Sequence, residues 1–184
     1  MNHSKKRIPD SGNPRSSLWI IGEAPGEEED AKGEVFVGYS GKLLTTILST
    51  YGMDRNDCFI TNLFPFHPYQ NKFDLIEDTL ELKENVSRLK ALHLTHQPNV
   101  TLALGNNPLK YLVEKIGISN FRGSILEFQS RKLIPTYHPA AVLRDYSIYP
   151  IFAHDVRFAI RDSKFSGFDY QFITMLLILV MMKL

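Results

Sequence analysis

Cysteine is almost missing from this chain: of 184 residues, only Cys58 carries a thiol. A lone thiol excludes an intrachain disulfide framework, and it excludes zinc or iron–sulfur sites held by several cysteines of the chain. Long apolar runs are also scarce. The longest, residues 172–182, is broken by Thr174 and falls short of the about 20 residues a membrane span needs. It reads as a buried terminal strand or helix, as a membrane-active tail, or as the end of one domain of a longer polypeptide; residues 166–184 are set apart on that account. Residues 1–17 are basic and polar without the apolar stretch of a signal peptide, so they are expected to form a flexible leader. No membrane partner and a cytoplasmic location are expected. Excess charge is lacking too. Lysine and arginine number 21 against 20 acidic residues, so any nucleic-acid contact must come from charge placed locally.

What is present describes one globular domain, spanning residues 18–165. The chain is 43% hydrophobic and 22% charged, which argues against disorder and suffices for a substantial core. Short apolar runs at residues 18–21, 58–61, 100–104, 125–128 and 132–136 read as strands. Helical periodicity covers residues 40–51, 74–96 and 149–163, and Asn107 reads as the cap of another helix with Pro108 at its first position. Strands alternating with helices predict a three-layer α/β/α sandwich around a mostly parallel, four-stranded sheet. Ligands in such sheets bind beyond the carboxyl ends of the strands. Residues 22–26, 62–71 and 137–144 fall there.

The loop after the first strand runs Gly22-Glu23-Ala24-Pro25-Gly26-Glu27-Glu28-Glu29-Asp30. Its glycines invite a phosphate-binding reading, yet neither the dinucleotide nor the P-loop spacing is met. Five carboxylates between Glu23 and Asp30 would repel a phosphate. The loop suits a neutral ligand, or a carboxylate that acts on one.

The stretch GEAPGEEEDAKGEVFVGYSGKLL, with Ile60-Thr61-Asn62 and Tyr137-His138-Pro139-Ala140-Ala141-Val142-Leu143-Arg144, resembles the uracil-DNA glycosylase superfamily and, within it, the family 4 enzymes. The resemblance spans roughly residues 18–161 in matching order. It implies cleavage of the bond between uracil and deoxyribose in single- or double-stranded DNA, by water and without a lysine Schiff base. It implies no cofactor for the chemistry. Phe36 would be the platform on which the flipped base stacks. Asn62 would read the Watson–Crick edge, accepting from N3–H and donating to O4. His138 would donate to O2 and stabilise the leaving anion; a neutral or a protonated imidazole serves that role. Glu23 would orient water or balance the oxocarbenium charge, and Ala24 after it would contact the substrate base. Glu29 is placed near uracil C5. Ser40, Gly41 and Lys42 open a helix and would hold a phosphate. Leu143 would wedge into the vacated stack, and Arg144 would bind a phosphate or brace the loop.

One departure is plain. Family 4 enzymes hold a [4Fe–4S] cluster on four cysteines, two before the first motif, one after the Thr-Asn segment and one opening the next helix. Here the leader has none and Phe66 stands at the third position. The cluster is therefore expected to be absent, with Phe64, Phe66, Tyr69 and Phe73 packing in its place. Two rival readings remain: a catalytically weak or inactive glycosylase-like module that binds DNA or protein within a viral replication protein or DNA polymerase, and an enzyme for a modified pyrimidine; the resemblance implies a bacterial or phage-infected cell.

Overall fold

Leu18, Trp19, Ile20 and Ile21 are all buried, so β1 (Leu18–Gly22) is apolar on both faces and must lie inside a sheet. The computed structural model describes residues 3–167; the apolar run 172–182 lies outside them. In chain order β1 is followed by α1 (Glu27–Lys32), α2 (Tyr39–Thr50), β2 (Phe59–Asn62), α3 (Leu80–His96) and β3 (Val100–Leu104). Then come α4 (Asn106–Val113), α5 (Ile118–Phe121), β4 (Leu126–Phe128), β5 (Arg131–Thr136), α6 (Pro139–Arg144) and α7 (Tyr149–Asp162).

The sheet has the order β2-β1-β3-β5-β4 and five strands, one more than the four expected. β2, β1, β3 and β5 are parallel, and β4 adds an antiparallel edge on β5. β4 and β5 turn through Gln129 and Ser130, both at positive φ, the geometry of a tight two-residue hairpin. One face of the sheet, with Leu18, Ile20, Ile60 and Ile134, packs on Leu44, Ile47 and Leu48 of α2 and on Phe152 and Val156 of α7. The other, with Trp19, Ile21 and Leu133, packs on Leu82, Val86 and Leu89 of α3 and Leu112 of α4. These are the three layers of an α/β/α sandwich. The chain runs from β1 out to β2 and then back across to β3 on the other side of β1. That reversal opens a crevice at the carboxyl end of β1.

Residues 3–17 are not a loose leader. Ser11 and Ile60 exchange backbone hydrogen bonds of 2.9 and 2.8 Å, and the Ile8 N–H donates to Pro65 O at 2.8 Å. Ile8 is buried in the core, while Asp10 accepts from Thr61 Oγ1 and from Arg88 at 2.8 and 3.2 Å. The segment covers the edge of β2, which would otherwise expose unpaired backbone groups. The expected helix over 74–96 also divides. A short 3₁₀ turn (Phe73–Ile76) precedes α3, whose first turn is capped by Thr79 Oγ1 accepting from the Leu82 N–H at 3.3 Å. Asn107 is no cap either: Gly105 holds that position in α4 without any side-chain bond.

Candidate active site

β1, β2 and β5 deliver Glu23, Asn62 and His138 to a single cavity of about 420 Å³. Ala24, Glu29, Phe36, Ser40 and Arg144 line it as well. Eight of the residues singled out by sequence thus meet at one place. Gly41, Lys42 and Leu143 stand outside the lining.

Phe36 is held in an unusual backbone state. Its φ is 54°, a left-handed conformation that costs a non-glycine residue energy. Arg55 grips the turn from one side: its Nη1 donates to Phe36 O at 2.6 Å and its Nη2 to Val35 O. Glu29 grips it from the other, accepting from the Val37 and Gly38 N–H groups at 2.9 and 2.7 Å. The second Glu29 oxygen accepts from the Gly26 N–H at 3.1 Å, so this carboxylate ties both ends of the loop together. Gly41 lies beneath, where a Cβ would come within 1.9 Å of Phe36 O. Its small size lets α2 pack under the platform. Gly22 does the same in front, since a Cβ there would meet Asn62 Oδ1 and Phe36 Cζ, each at 2.5 Å.

Asn62 ends β2 at 6% exposure, its Oδ1 without a hydrogen-bond partner among the described residues. A buried acceptor left unpaired in this way is open to a donor from a bound molecule or water. Its backbone is fixed by Asn85, whose Nδ2 donates to Asn62 O at 3.3 Å and to Leu63 O at 2.6 Å.

His138 is the N-cap residue of α6, and its Nδ1 accepts from the Ala140 N–H at 3.1 Å. Burial, with Arg144 adding repulsion and Glu29 opposing, pushes its pKa down to about 4. The ring is neutral at physiological pH. Since Nδ1 is an acceptor, the proton sits on Nε2. The ring plane tilts 31° from Phe36, with centroids 6.0 Å apart.

Glu23 accepts from Asn107 Nδ2 at 2.7 Å. Burial raises its pKa above the usual carboxylate range, while Asn107 and the charge of Arg144 pull it back. Outside the cavity, Lys42 is exposed on the first turn of α2, its Nζ 5.1 Å from the Tyr39 ring centroid. Leu143 is 46% exposed on α6. Sequence reasoning missed Asn71 and Pro68 of the lining, and also Arg55 and Asn107 behind it. Asn71 and Pro68 lie in a stretch marked as a strand end; Arg55 carried no signal at all.

The cluster ligands implied by family 4 do not fit these residues. At the third ligand position the Phe66 ring stacks on His3, centroids 4.8 Å apart, and His3 meets Phe64 edge-on at 5.2 Å. His3 Nε2 also lies 3.8 Å from Glu81 Oε1 in the first turn of α3. The sole thiol, Cys58, is fully buried just ahead of β2, and burial pushes it up to about 12. Phe64 and Phe73 are buried as expected, but Tyr69 is 60% exposed and takes no part. His3 does instead. Among the described residues no three His, Cys, Asp or Glu side chains converge as metal ligands, and no helix is long and apolar enough to cross a membrane.

Fold and cavity fit a DNA glycosylase, an enzyme that hydrolyses N-glycosyl bonds of DNA, and the family and its relatives show that class. The sequence signature of the Uracil DNA glycosylase superfamily matches residues 9–157, and the chain belongs to that superfamily. It is 36% identical to the type-4 uracil-DNA glycosylase of Archaeoglobus fulgidus over 146 residues, 74% of this chain and 71% of that protein. It is 34% identical to the type-4 uracil-DNA glycosylase of Saccharolobus solfataricus over 164 residues, 83% and 74% of the two chains. A DNA polymerase of Bacillus phage SP01 is 27% identical over 152 residues, which are 82% of this chain and 16% of the polymerase.

Proposed function

We propose that the chain removes uracil from DNA by hydrolysing its N-glycosidic bond, leaving an abasic site for base excision repair. The unpaired Oδ1 of Asn62 beside the Phe36 platform carries this reading. A pyrimidine stacked on Phe36 places an N–H donor against that oxygen only if it is uracil-like; cytosine presents a bare acceptor at N3.

Chemistry follows from the neighbours. As the C1′–N1 bond breaks, its electron pair leaves with uracil and charge spreads onto O2. The Nε2–H of neutral His138 donates to that oxygen. Glu23 faces the positive sugar and orients the attacking water. The water oxygen bonds to C1′, and its proton passes through Glu23 to the departing base or to solvent. Lys42, the start of α2 and Arg144 would take the flanking phosphates, with Leu143 filling the vacated stack.

The likeness to part of a phage polymerase supports a second reading, a binding module of a replication protein. An intact cavity with Glu23, Asn62 and His138 in place favours chemistry. The test is incubation with a single-stranded oligonucleotide bearing one uracil, followed by alkaline cleavage at abasic sites. Strand scission lost in Asn62→Ala and His138→Ala is expected. Tight DNA binding without scission by the unaltered protein would overturn the enzyme reading. Repeating the assay with 5-substituted uracils reports whether a modified pyrimidine is preferred.

A further inference from the structure

α4 starts without a side-chain cap, although two asparagines stand at its first positions. Gly105 is the N-cap residue, and the Asn106 side-chain Oδ1 is used instead to accept from the Ile118 N–H at 2.8 Å. The Asn107 amide instead turns to the cavity and donates to Glu23 Oε2 at 2.7 Å. No comparable bond holds Oε1 among the described residues. The helix carrying Asn107 is itself anchored. Leu109 and Leu112 are buried, Lys110 Nζ donates to Glu77 Oε1 at 3.0 Å, and Tyr111 Oη donates to Glu77 O at 3.1 Å.

We propose that Asn107 is a positioning residue that fixes the Glu23 carboxylate in one rotamer, with Oε2 held and Oε1 left for the attacking water. The assignment rests on the glycosylase reading and deepens it. A glutamate on a loop samples several rotamers, and only a donor fixed to a rigid element selects one of them. An amide N–H also favours the ionised carboxylate, which is the form that can accept a water proton. Charged and titratable groups on every side of Glu23 act with it. Arg144 of α6 favours ionisation, and Glu77, partly neutralised by Lys110, opposes it. His138 and Glu29 share the cavity. Of these, only Asn107 hydrogen-bonds to Glu23.

Two measurements on the full chain test the assignment. The first is single-turnover cleavage of a uracil-bearing oligonucleotide between pH 4.5 and 9 for the unaltered protein, Asn107→Ala and Asn107→Asp. In Asn107→Ala the acid limb should move to higher pH, with a loss of about tenfold near its midpoint and a smaller loss on the alkaline plateau. Substrate affinity should stay unchanged. Asn107→Asp should lose more at neutral pH, because it sets a second negative charge against Glu23. The second is a carbon-13 titration of the Glu23 carboxyl, which needs no turnover. Its midpoint should rise in Asn107→Ala while the thermal unfolding midpoint barely moves. An unshifted Glu23 titration overturns the proposal, whether or not the protein cleaves uracil. So does a rate loss equal at every pH with a matching loss of fold. Absence of cleavage by the unaltered protein, with the titration shifted as stated, would sink the uracil reading and leave the Asn107–Glu23 coupling standing.

Discussion

Arg55 donates to the backbone carbonyl of Phe36 across 2.6 Å, holding an aromatic residue whose φ is 54°. The guanidinium touches no part of the cavity lining except through this turn. Arg55→Ala should therefore slow cleavage through weakened base binding, seen as a raised KM with a smaller change in kcat. The lost charge-assisted bonds should also cost about 2 kcal/mol of stability. Steady-state cleavage with urea unfolding measures both. An unchanged KM would remove Arg55 from the platform.

His93 is buried, with Nε2 3.1 Å from Thr101 Oγ1 and its ring 4.4 Å from that of Phe128. Burial pushes its pKa down to about 4 from 6.5. The folded protein then binds fewer protons than the unfolded chain below pH 6.5. Stability from this source is complete above that pH and is lost as pH falls toward 4, by about 3 kcal/mol at most. His138 acts with the same sign. His93→Gln, which keeps a partner for Thr101, should flatten the pH dependence of urea unfolding. Equal acid sensitivity in the variant would refute the account.

Asp155 is fully buried and accepts from Arg122 Nε at 2.7 Å, from Arg122 Nη2 and from Thr136 Oγ1 at 2.9 Å. Thr136 ends β5, two residues before His138. Asp155→Ala strands the arginine and the hydroxyl together and should cost about 3 kcal/mol or more. Asp155→Asn, which can still accept, should cost less. Denaturant midpoints that match the unaltered protein would show the pair to be dispensable.

His3 and Phe66 stack at 4.8 Å, with Phe66 at the third cluster-ligand position that the family 4 resemblance implies. A double-mutant cycle on the two rings should return a coupling of about 1 kcal/mol. The purified protein should show no visible absorption from iron. Stoichiometric iron and sulfide, or zero coupling, would contradict this.

β1 and β3 were legible in the sequence because both are five-residue runs buried on both faces. Three motifs at strand ends located Glu23, Asn62 and His138 for the same reason: the sheet delivers its carboxyl ends to one crevice. What escaped has physical causes. α1 buries none of its residues and so shows no apolar stripe. α6 is six residues long and opens on Pro139, inside residues 137–144, which read as a strand-end loop. In the strap over β2, Ile8 is the one buried apolar residue among those described, amid polar neighbours whose backbone and side-chain bonds leave no periodic pattern. Asn107 carries the residue type of a cap, and only the tertiary approach of Glu23 redirects it.

The His138 ring caps α6 through the same nitrogen that fixes its tautomer. Leu143 and Arg144 ride on that helix. A proton on Nδ1 would thus take away the hydrogen-bond acceptor that starts the helix as well as the neutral ring beside the base. An imidazolium still donates from Nε2, so in acid the proposed grip on DNA through Leu143 and Arg144 should loosen while that donor remains.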